Sequence, residues 1–278
     1  MPEKDVAQYG ISVVCPTYNC SNYIQRTIDS LLNQTDLSEE VIFSDDGSRD
    51  DTVYIIEKNR ARFEKSGIRL HIGRNVHQGP GATRNHGVFK ACQPWIAFLD
   101  ADDTWKPEKL KRIRQAMKKF LKANCFLHWE EYVRSNGLHL LLKHGNSYDP
   151  NQSLYIQLYK SNFFSTSAIV CKRTILMEVG GFDPSLPNAQ DYDLWLKMSQ
   201  LMQLHIVPEV LGSYIEEPNS ITARPYYNRF QSELRIAWRH RKKDEVLLLI
   251  FKLFRIFLSK QWFFSLLNLV QRNKYHNN

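Results

Sequence analysis

The stretch "LDADD" (99–103) puts three carboxylates, Asp100, Asp102 and Asp103, within four positions, directly after the apolar run "WIAFL" (95–99). Like charges this close repel, so something positive is expected at the end of that run. An Asp-X-Asp at a strand end can hold one divalent cation, whose oxygen ligands suit magnesium or manganese. Such an ion keeps part of its shell for water and for substrate phosphates. The bland reading is a helix N-cap cluster ahead of Pro107, with Asp103 or Thr104 as the cap.

Three other stretches carry comparable side chains. In "FSDDGSRDDT" (43–52), Asp45 and Asp46 end an apolar run, and Gly47-Ser48 permits a sharp turn. One of these carboxylates could accept a hydrogen bond from a nucleobase N–H; equally, Ser48 or Asp50 could simply cap the next helix. "GPGATRNHG" (79–87) is not a P-loop, because no Gly-Lys-Ser/Thr follows, nor is it the dinucleotide fingerprint. It offers backbone amides at a helix start and Arg84, which can reach an anion. In "NAQDYDLW" (188–195), Asp191 falls near a helix N-terminus, where the helix dipole favours its ionised form. It could serve as a general base or as a cap. The lipase-type Gly-x-Ser-x-Gly, the zincin HExxH and a recognised Cys–His spacing are all missing.

These side chains need a scaffold that brings them together. "ISVVCP" (11–16), "EVIFSDD" (40–46), "IRLHIG" (68–73) and "WIAFLD" (95–100) read as buried strands, with helical stretches near 22–34, 50–66 and 80–92 between them. A further helix follows Pro107, with Leu110, Ile113, Met117 and Phe120/Leu121 on one face. The alternation predicts an α/β fold with a mostly parallel sheet covered by helices on both faces. Ligands then bind beyond the carboxyl ends of the strands. "PTYN" (16–19), "DDGS" (45–48) and "DADD" (100–103) all follow strands and would emerge on that one edge. Further on, "FLHWEEYV" and "LHLLL" flank the turn signal "RSNG" as a hairpin, "STSAIVCK" (165–172) reads as a strand, and 189–202 as a helix with Leu194, Trp195 and Met198 inward.

The chain has 278 residues, 43% of them hydrophobic, which is enough for a sizeable core. Its five cysteines are odd in number and form no CxxC, which argues against a disulfide framework or a structural zinc and for a reducing compartment. "MPEKDVAQY" (1–9) lacks an apolar signal core, so no secretion leader is expected. The net charge of +8 is concentrated in one place: from Arg224 onward there are twelve Lys/Arg and three Asp/Glu, so the preceding residues sum to about −1. That disfavours nucleic acid as a partner of the body and raises the question of which anionic surface the tail meets. Residues 246–270 are almost continuously apolar, but Lys252, Arg255, Ser259 and Lys260 fall on one helical stripe. Spanning a bilayer would bury three cations at roughly 2.5–3.5 kcal/mol each. Lying in the interface avoids that cost, with the basic stripe toward anionic headgroups and Trp262, Phe263 and Phe264 at the boundary. Packing on the body or a homodimer contact are the alternatives. The expected division is a catalytic domain, 1–223, and a basic amphipathic tail, 224–278, whose removal at about residue 224 leaves a soluble enzyme.

In order and spacing, "SVVCPTYNCSNYIQRTIDSLLNQT" (12–35), "DDGSRDDT" (45–52), "GPGATRNHG" (79–87), "WIAFLDADDTWKPEKL" (95–110) and "GGFDPSLPNAQDYDLWLKM" (180–198) resemble the inverting, metal-dependent nucleotide-sugar glycosyltransferases of family 2, with the GT-A fold. The resemblance runs from about Ser12 to Thr222. It implies that Pro16 and Tyr18 hold the nucleobase and that Asp46, with Asp45, reads uracil. Arg84 would lie near the nucleotide. Asp102 would bind Mn2+ or Mg2+ directly, with Asp100 near the ribose or a metal-bound water, and Asp191 would be the base. Gln190 stands where the family usually has Glu, which bears on how the acceptor is oriented. The implied donor is a nucleotide sugar, with UDP favoured, and the acceptor a saccharide or lipid-linked saccharide of bacterial surface polysaccharide, handled at the cytoplasmic face of the membrane. The rival readings are a sugar nucleotidyltransferase, disfavoured because "CPTYNCSNY" replaces a Gly-rich loop after the first strand, and a catalytically silent sugar-binding scaffold.

Overall fold

The four apolar runs of the first hundred residues become neighbouring strands of one sheet. In the computed structural model, which describes residues 8–217, 226–242 and 246–258, Ile11–Thr17 (β1), Glu40–Asp45 (β2), Arg69–Arg74 (β3) and Trp95–Phe98 (β4) pair in parallel. Their spatial order is β3-β2-β1-β4. β2 and β4 are buried at every position, and β1 at all but Pro16, because helices cover both faces. The crossovers are Ile24–Leu32 (α1), Thr52–Lys58 (α2) with Arg60–Lys65 (α3), and Pro80–Lys90 (α4). The stretch expected as one helix over 50–66 is two, meeting at Asn59. That side chain donates to the Ile55 carbonyl and to Gln25 Oε1, the local competition with backbone bonding that makes asparagine a helix boundary.

The second half completes the sheet with Thr104–Trp105 (β5), Cys125–Val133 (β6), His139–Leu142 (β7), Ile169–Lys172 (β8) and Leu204–Ile215 (β9). The full order is β3-β2-β1-β4-β8-β6-β9-β5, with β7 paired to β6. This part departs from the mostly parallel sheet expected. β8 is antiparallel to β4 and β6, β7 to β6, and β5 to β9; only β6 and β9 pair in parallel. β6 and β7 are joined by the tight "RSNG" turn, where Gly137 takes φ +80°. So short a link can join only antiparallel strands.

The remaining helices are Lys109–Lys119 (α5), Leu154–Lys160 (α6), Arg173–Glu178 (α7), Gln190–Met198 (α8), Tyr226–Arg239 (α9) and Val246–Leu258 (α10). In α5, Leu110, Ile113 and Met117 are buried as expected, but the helix ends before Phe120. Phe120 stacks on His205 instead, and Leu121 is exposed. The alternating side chains of β1 feed two cores: Val14 lies in the core that holds residues of α4, α6 and α8, Val13 and Cys15 in the core that holds α1 and α5. All five cysteines are free thiols.

The C-terminal helices bear on the expected tail. α9 shares the α8 core: Ile236 and Ala237 are 1% and 0% exposed, and the Tyr159 hydroxyl donates to the Ala237 carbonyl at 2.6 Å. Burying one side chain such as Ile236 contributes roughly 1.5–3 kcal/mol. Ile236 and Ala237 therefore belong to the core of the body, and a cut at 224 would remove them. One cation of the expected basic stripe departs from the expectation. Lys252 is buried, with Nζ 3.2 Å from the Tyr192 hydroxyl, and Arg255 donates to the Lys160 carbonyl (2.6 Å) and to Ser161 Oγ (2.8 Å). Both cations fasten the helix to the body, Lys252 from a buried position and Arg255 from an exposed one. Ser259, Lys260, Trp262, Phe263 and Phe264 lie outside the described residues.

Candidate active site

The sheet order changes direction between β1 and β4, so the connections leaving these two strands diverge and open a crevice beyond their carboxyl ends. β1 delivers Tyr18 there, β2 delivers Asp45 and Asp46, and β4 delivers Asp100 and Asp102. α4, which starts at Gly79 with φ +91° and Pro80 in its first turn, contributes Arg84.

Asp45 and Asp46 have different tasks. The Asp45 carboxylate accepts from the Gly47 and Ser48 amides and from the Ser48 and Thr17 hydroxyls (2.5–3.1 Å), so it organises the turn. Asp46 accepts from the Gln78 and Gly79 amides at 2.8 and 2.9 Å, and His77 Nδ1 lies 2.8 Å from its Oδ2. Asp46 thus clamps the segment before α4 beside β2. The Tyr18 ring, 45% exposed, stacks on His77 at 4.5 Å between centroids. An open aromatic pair beside a carboxylate is a surface on which a base can stack. Pro16 is half-buried in β1, two residues before Tyr18. Sequence reasoning missed His77, because only the fold brings it onto Tyr18.

The aspartate crowding is resolved residue by residue. Asp100 Oδ1 accepts from Arg84 Nη2 at 2.6 Å, and the Asp100 amide donates to Ser167 Oγ. Asp103 is buried and accepts from Ser167 Oγ (2.6 Å) and from the Ile215 amide (3.1 Å), tying the loop to the end of β9. Arg26 on α1 holds the Asp102 carbonyl at 2.7 Å and pairs with Glu217 at 2.6 Å. Among the described residues no ion pair reaches the Asp102 carboxylate. Burial, then Asp100, pushes its pKa up to about 6. Asp102 thus lacks the paired guanidinium that Asp100 has, and burial pushes the Asp103 carboxyl up as well. Arg26, Ser167 and Asp103 position this loop; no local sequence signal links them, since each acts across long chain separations.

Asp191 enters in the first turn of α8, after Ala189 in the left-handed region at φ +57°. Burial raises its pKa and Arg84 opposes this, leaving it above the ordinary carboxylate value. Arg84, itself buried, thus acts on both Asp100 and Asp191. Its burial opposes the cation, but Asp100, then Asp191 and Asp102, outweigh that and raise its pKa. Gln190 is buried, and its amide nitrogen donates to the Leu186 carbonyl at 2.7 Å. A glutamate carboxylate could not donate that bond, so Gln190 here braces the loop before α8. Asn85 adds a second brace, exchanging hydrogen bonds with the Phe182 backbone at 2.8 and 2.9 Å.

Two carboxylates, Asp100 and Asp102, are the hard oxygen donors available for a cation, and no cluster of three or more ligating side chains occurs among the described residues. That donor set fits a magnesium or manganese ion that takes its other ligands from water and a diphosphate. It does not fit a closed structural site.

The family model described as "Glycosyl transferase family 2" matches residues 12–180. The chain belongs to glycosyl transferase family 2. Among relatives, a chondroitin synthase of Escherichia coli is 32% identical over 197 residues, covering 69% of this chain but 26% of that protein. The chain thus spans about a quarter of that relative's length. A putative teichuronic acid biosynthesis glycosyltransferase, TuaG, of Bacillus subtilis is 26% identical over 223 residues, covering 78% of this chain and 82% of that one. Among solved structures, S. aureus TarS 1–349 in complex with UDP-GlcNAc superimposes with a TM-score of 0.72 at 21% identity, covering 92% of this chain and 75% of that chain. The fold is the GT-A fold of this neighbour, and a C-terminal helical stretch is present.

Proposed function

We propose that this chain is an inverting glycosyltransferase that moves a hexose or N-acetylhexosamine from a UDP-sugar to a hydroxyl of a saccharide acceptor in bacterial surface-polysaccharide assembly. The acceptor is lipid-linked and is met at the cytoplasmic face of the membrane. The observation that carries the reading is the meeting of Arg84, Asp100 and Asp191 beside Asp102 at the sheet edge where β1 presents Tyr18. TarS, which shares this fold, was solved in complex with UDP-GlcNAc, and that supports the choice of donor.

The roles follow from the residue types. The Tyr18–His77 stack receives the base, and Asp46 takes a base N–H on a lone pair left over by the Gln78 and Gly79 amides. Asp102, with Asp100 beside it, would hold Mn2+ or Mg2+, which would supply positive charge against the diphosphate. Arg84 orients Asp100 and keeps Asp191 ionised. Asp191 takes the proton from the acceptor hydroxyl, whose oxygen attacks the anomeric carbon from the face opposite the nucleoside diphosphate. The C1–O bond to that diphosphate breaks, and the configuration inverts. A raised pKa suits Asp191 to this, since a stronger base removes the proton earlier in the reaction.

The test is thermal shift with UDP, GDP, dTDP and CMP, each with and without manganese, followed by hydrolysis of the matching donor sugars. Metal-dependent stabilisation by UDP and release of UDP from a UDP-sugar are expected. Stabilisation by none of the nucleotides in the presence of metal overturns the reading, and pyrophosphate release from a sugar phosphate and UTP favours the nucleotidyltransferase.

A further inference from the structure

α10 buries Lys252, anchors Arg255 on the end of α6 and leaves an apolar stripe outward. Leu247, Ile250, Phe251 and Phe254 fall at i, i+3, i+4 and i+7, one helical face, and are 81%, 55%, 48% and 62% exposed. Val246 beside them is 58% exposed. Leu248, Lys252 and Ile256 hold the opposite side against the body, and Arg255 at its margin donates to the Lys160 carbonyl, so the orientation of the helix on the body is set. A contiguous apolar face of this kind on a soluble body marks an interaction site. At its N-terminal end lie Arg241 and Lys242, both exposed, and Arg241 stacks at 3.9 Å on the exposed Trp238 ring.

We propose that this outward face docks on an anionic lipid bilayer, with the apolar stripe of α10 entering the acyl boundary and Arg241 and Lys242 meeting headgroup phosphates. The proposal rests on the reading of a transferase that serves a lipid-linked acceptor, and it differs from the expectation from sequence in that Lys252 is buried and unavailable to headgroups. Charge decides the occupant. α10 contains no acidic residue, and from Arg224 onward the chain carries a surplus of nine positive charges. Two copies meeting through this face would oppose like charges, whereas an anionic bilayer complements them. The helix lies on the membrane and does not cross it, because a span through 246–270 would carry Lys252, Arg255 and Lys260 into the hydrocarbon at roughly 2.5–3.5 kcal/mol each. No helix among the described residues is long and apolar enough to span. A helix with one apolar face and a basic flank is the form that inserts in the interface plane.

The experiment uses the full chain with vesicles of phosphatidylglycerol and phosphatidylethanolamine, compared with phosphatidylcholine alone, in flotation and sedimentation velocity. Wild-type protein is expected to float with the anionic vesicles, and binding should weaken as salt rises. The triple variant Leu247→Gln/Ile250→Gln/Phe254→Gln should lose at least tenfold in partitioning while keeping its melting temperature and its rate of UDP-sugar hydrolysis in solution. Arg241→Gln/Lys242→Gln should lower binding to anionic vesicles and leave the residual binding to phosphatidylcholine unchanged. Unaltered flotation of the triple variant overturns the proposal. So does a wild-type dimer that the triple variant converts to monomer without any vesicle binding. If no nucleotide binds but vesicle docking follows this pattern, the function above fails and the docking surface stands.

Discussion

Asp193, two residues beyond the proposed base, is fully buried and gathers three basic side chains: Lys197 Nζ at 2.8 Å, His240 Nε2 at 2.8 Å and Arg239 Nη1 at 3.4 Å. Arg239 also pairs with Asp183 in the loop that leads to α8. One carboxylate therefore ties the end of α9 to the helix that presents Asp191. Asp193→Asn keeps the shape and removes the charge. Cutting one partner out of a buried pair costs about 3–5 kcal/mol when the other charge is stranded. Here Lys197 and Arg239 are 26% and 41% exposed and Arg239 retains Asp183, so they can hydrate. The loss should sit near the lower bound, about 3 kcal/mol, or roughly two charge-assisted hydrogen bonds. At about 2–4 °C per kcal/mol for a chain of this size, the melting temperature should fall by about 6–12 °C. Burial pushes the Asp193 pKa up, but hydrogen bonds from His240 and Lys197 outweigh it and hold the group below its ordinary value. The sign follows: this stabilisation is complete above the unfolded value of about 3.9 and is lost as pH falls through the lower folded value. The gap between wild type and variant should thus narrow in acid. A shifted α8 also misplaces Asp191, so kcat should drop about tenfold or more with donor KM unchanged. The assay is thermal melting from pH 3 to 8 beside steady-state kinetics. A melting temperature within about 2 °C of wild type at pH 7, with kcat intact, would refute the argument that α9 positions the base.

Three further outcomes test the site and the fold. Asp191→Asn should lower kcat by about 10²–10⁴ with UDP affinity unchanged in calorimetry; in the wild type kcat/KM should rise with pH to a plateau, through a midpoint above the ordinary aspartate value, and Arg84→Met should move that midpoint higher, because Arg84 opposes the effect of burial on Asp191. Tyr18→Ala should weaken UDP binding by about 1–3 kcal/mol, the worth of one base–aromatic stack, without altering metal dependence. Gly87→Ala places a Cβ against Val14 Cγ1 in the core between α4 and β1, and should cost about 1–3 kcal/mol, read as a lower melting temperature with donor KM unchanged.

The first half of the fold was legible because its signals are local. β1 to β4 are apolar runs closed by turn residues, and their carboxyl ends carry the polar side chains of the site. The second half was less so. β5 has two residues and exists only by pairing with β9, and α6 and α7 have seven and six residues, too short for a clear helical period. The candidate residues were visible by type, but their division of labour was not. That Asp45 orders a turn, Asp46 clamps the start of α4, and Gln190 donates inward depends on backbone groups brought close by folding. The tail shows the same limit most clearly. Its stripe of cations was readable from spacing, but the direction that stripe faces depends on Tyr192, Lys160 and Ser161, which only the fold brings beside it.

The crowded aspartates at the end of β4 now have an electrostatic account. Asp100 is met by a guanidinium and Asp103 by a hydroxyl and an amide, while Asp102 has only its backbone held, by Arg26. If the loop served as a helix cap alone, the cheapest arrangement would pair or protonate all three. Here Asp100 is paired with Arg84, burial pushes the Asp103 carboxyl well above its ordinary value, and burial with Asp100 raises Asp102 to about 6 without a cationic partner. A site preorganised in this way lowers the cost of gathering ligands around a cation, because the repulsion has already been met by folding. The same logic extends to Asp191. Arg84 faces Asp100 on one side and acts on Asp191 on the other, so one buried cation sets the charge of both the leaving-group side and the attacking side of the proposed reaction. Arg84 is therefore the residue whose replacement should disturb donor binding and proton removal together, whereas Asp102 and Asp191 should each disturb one.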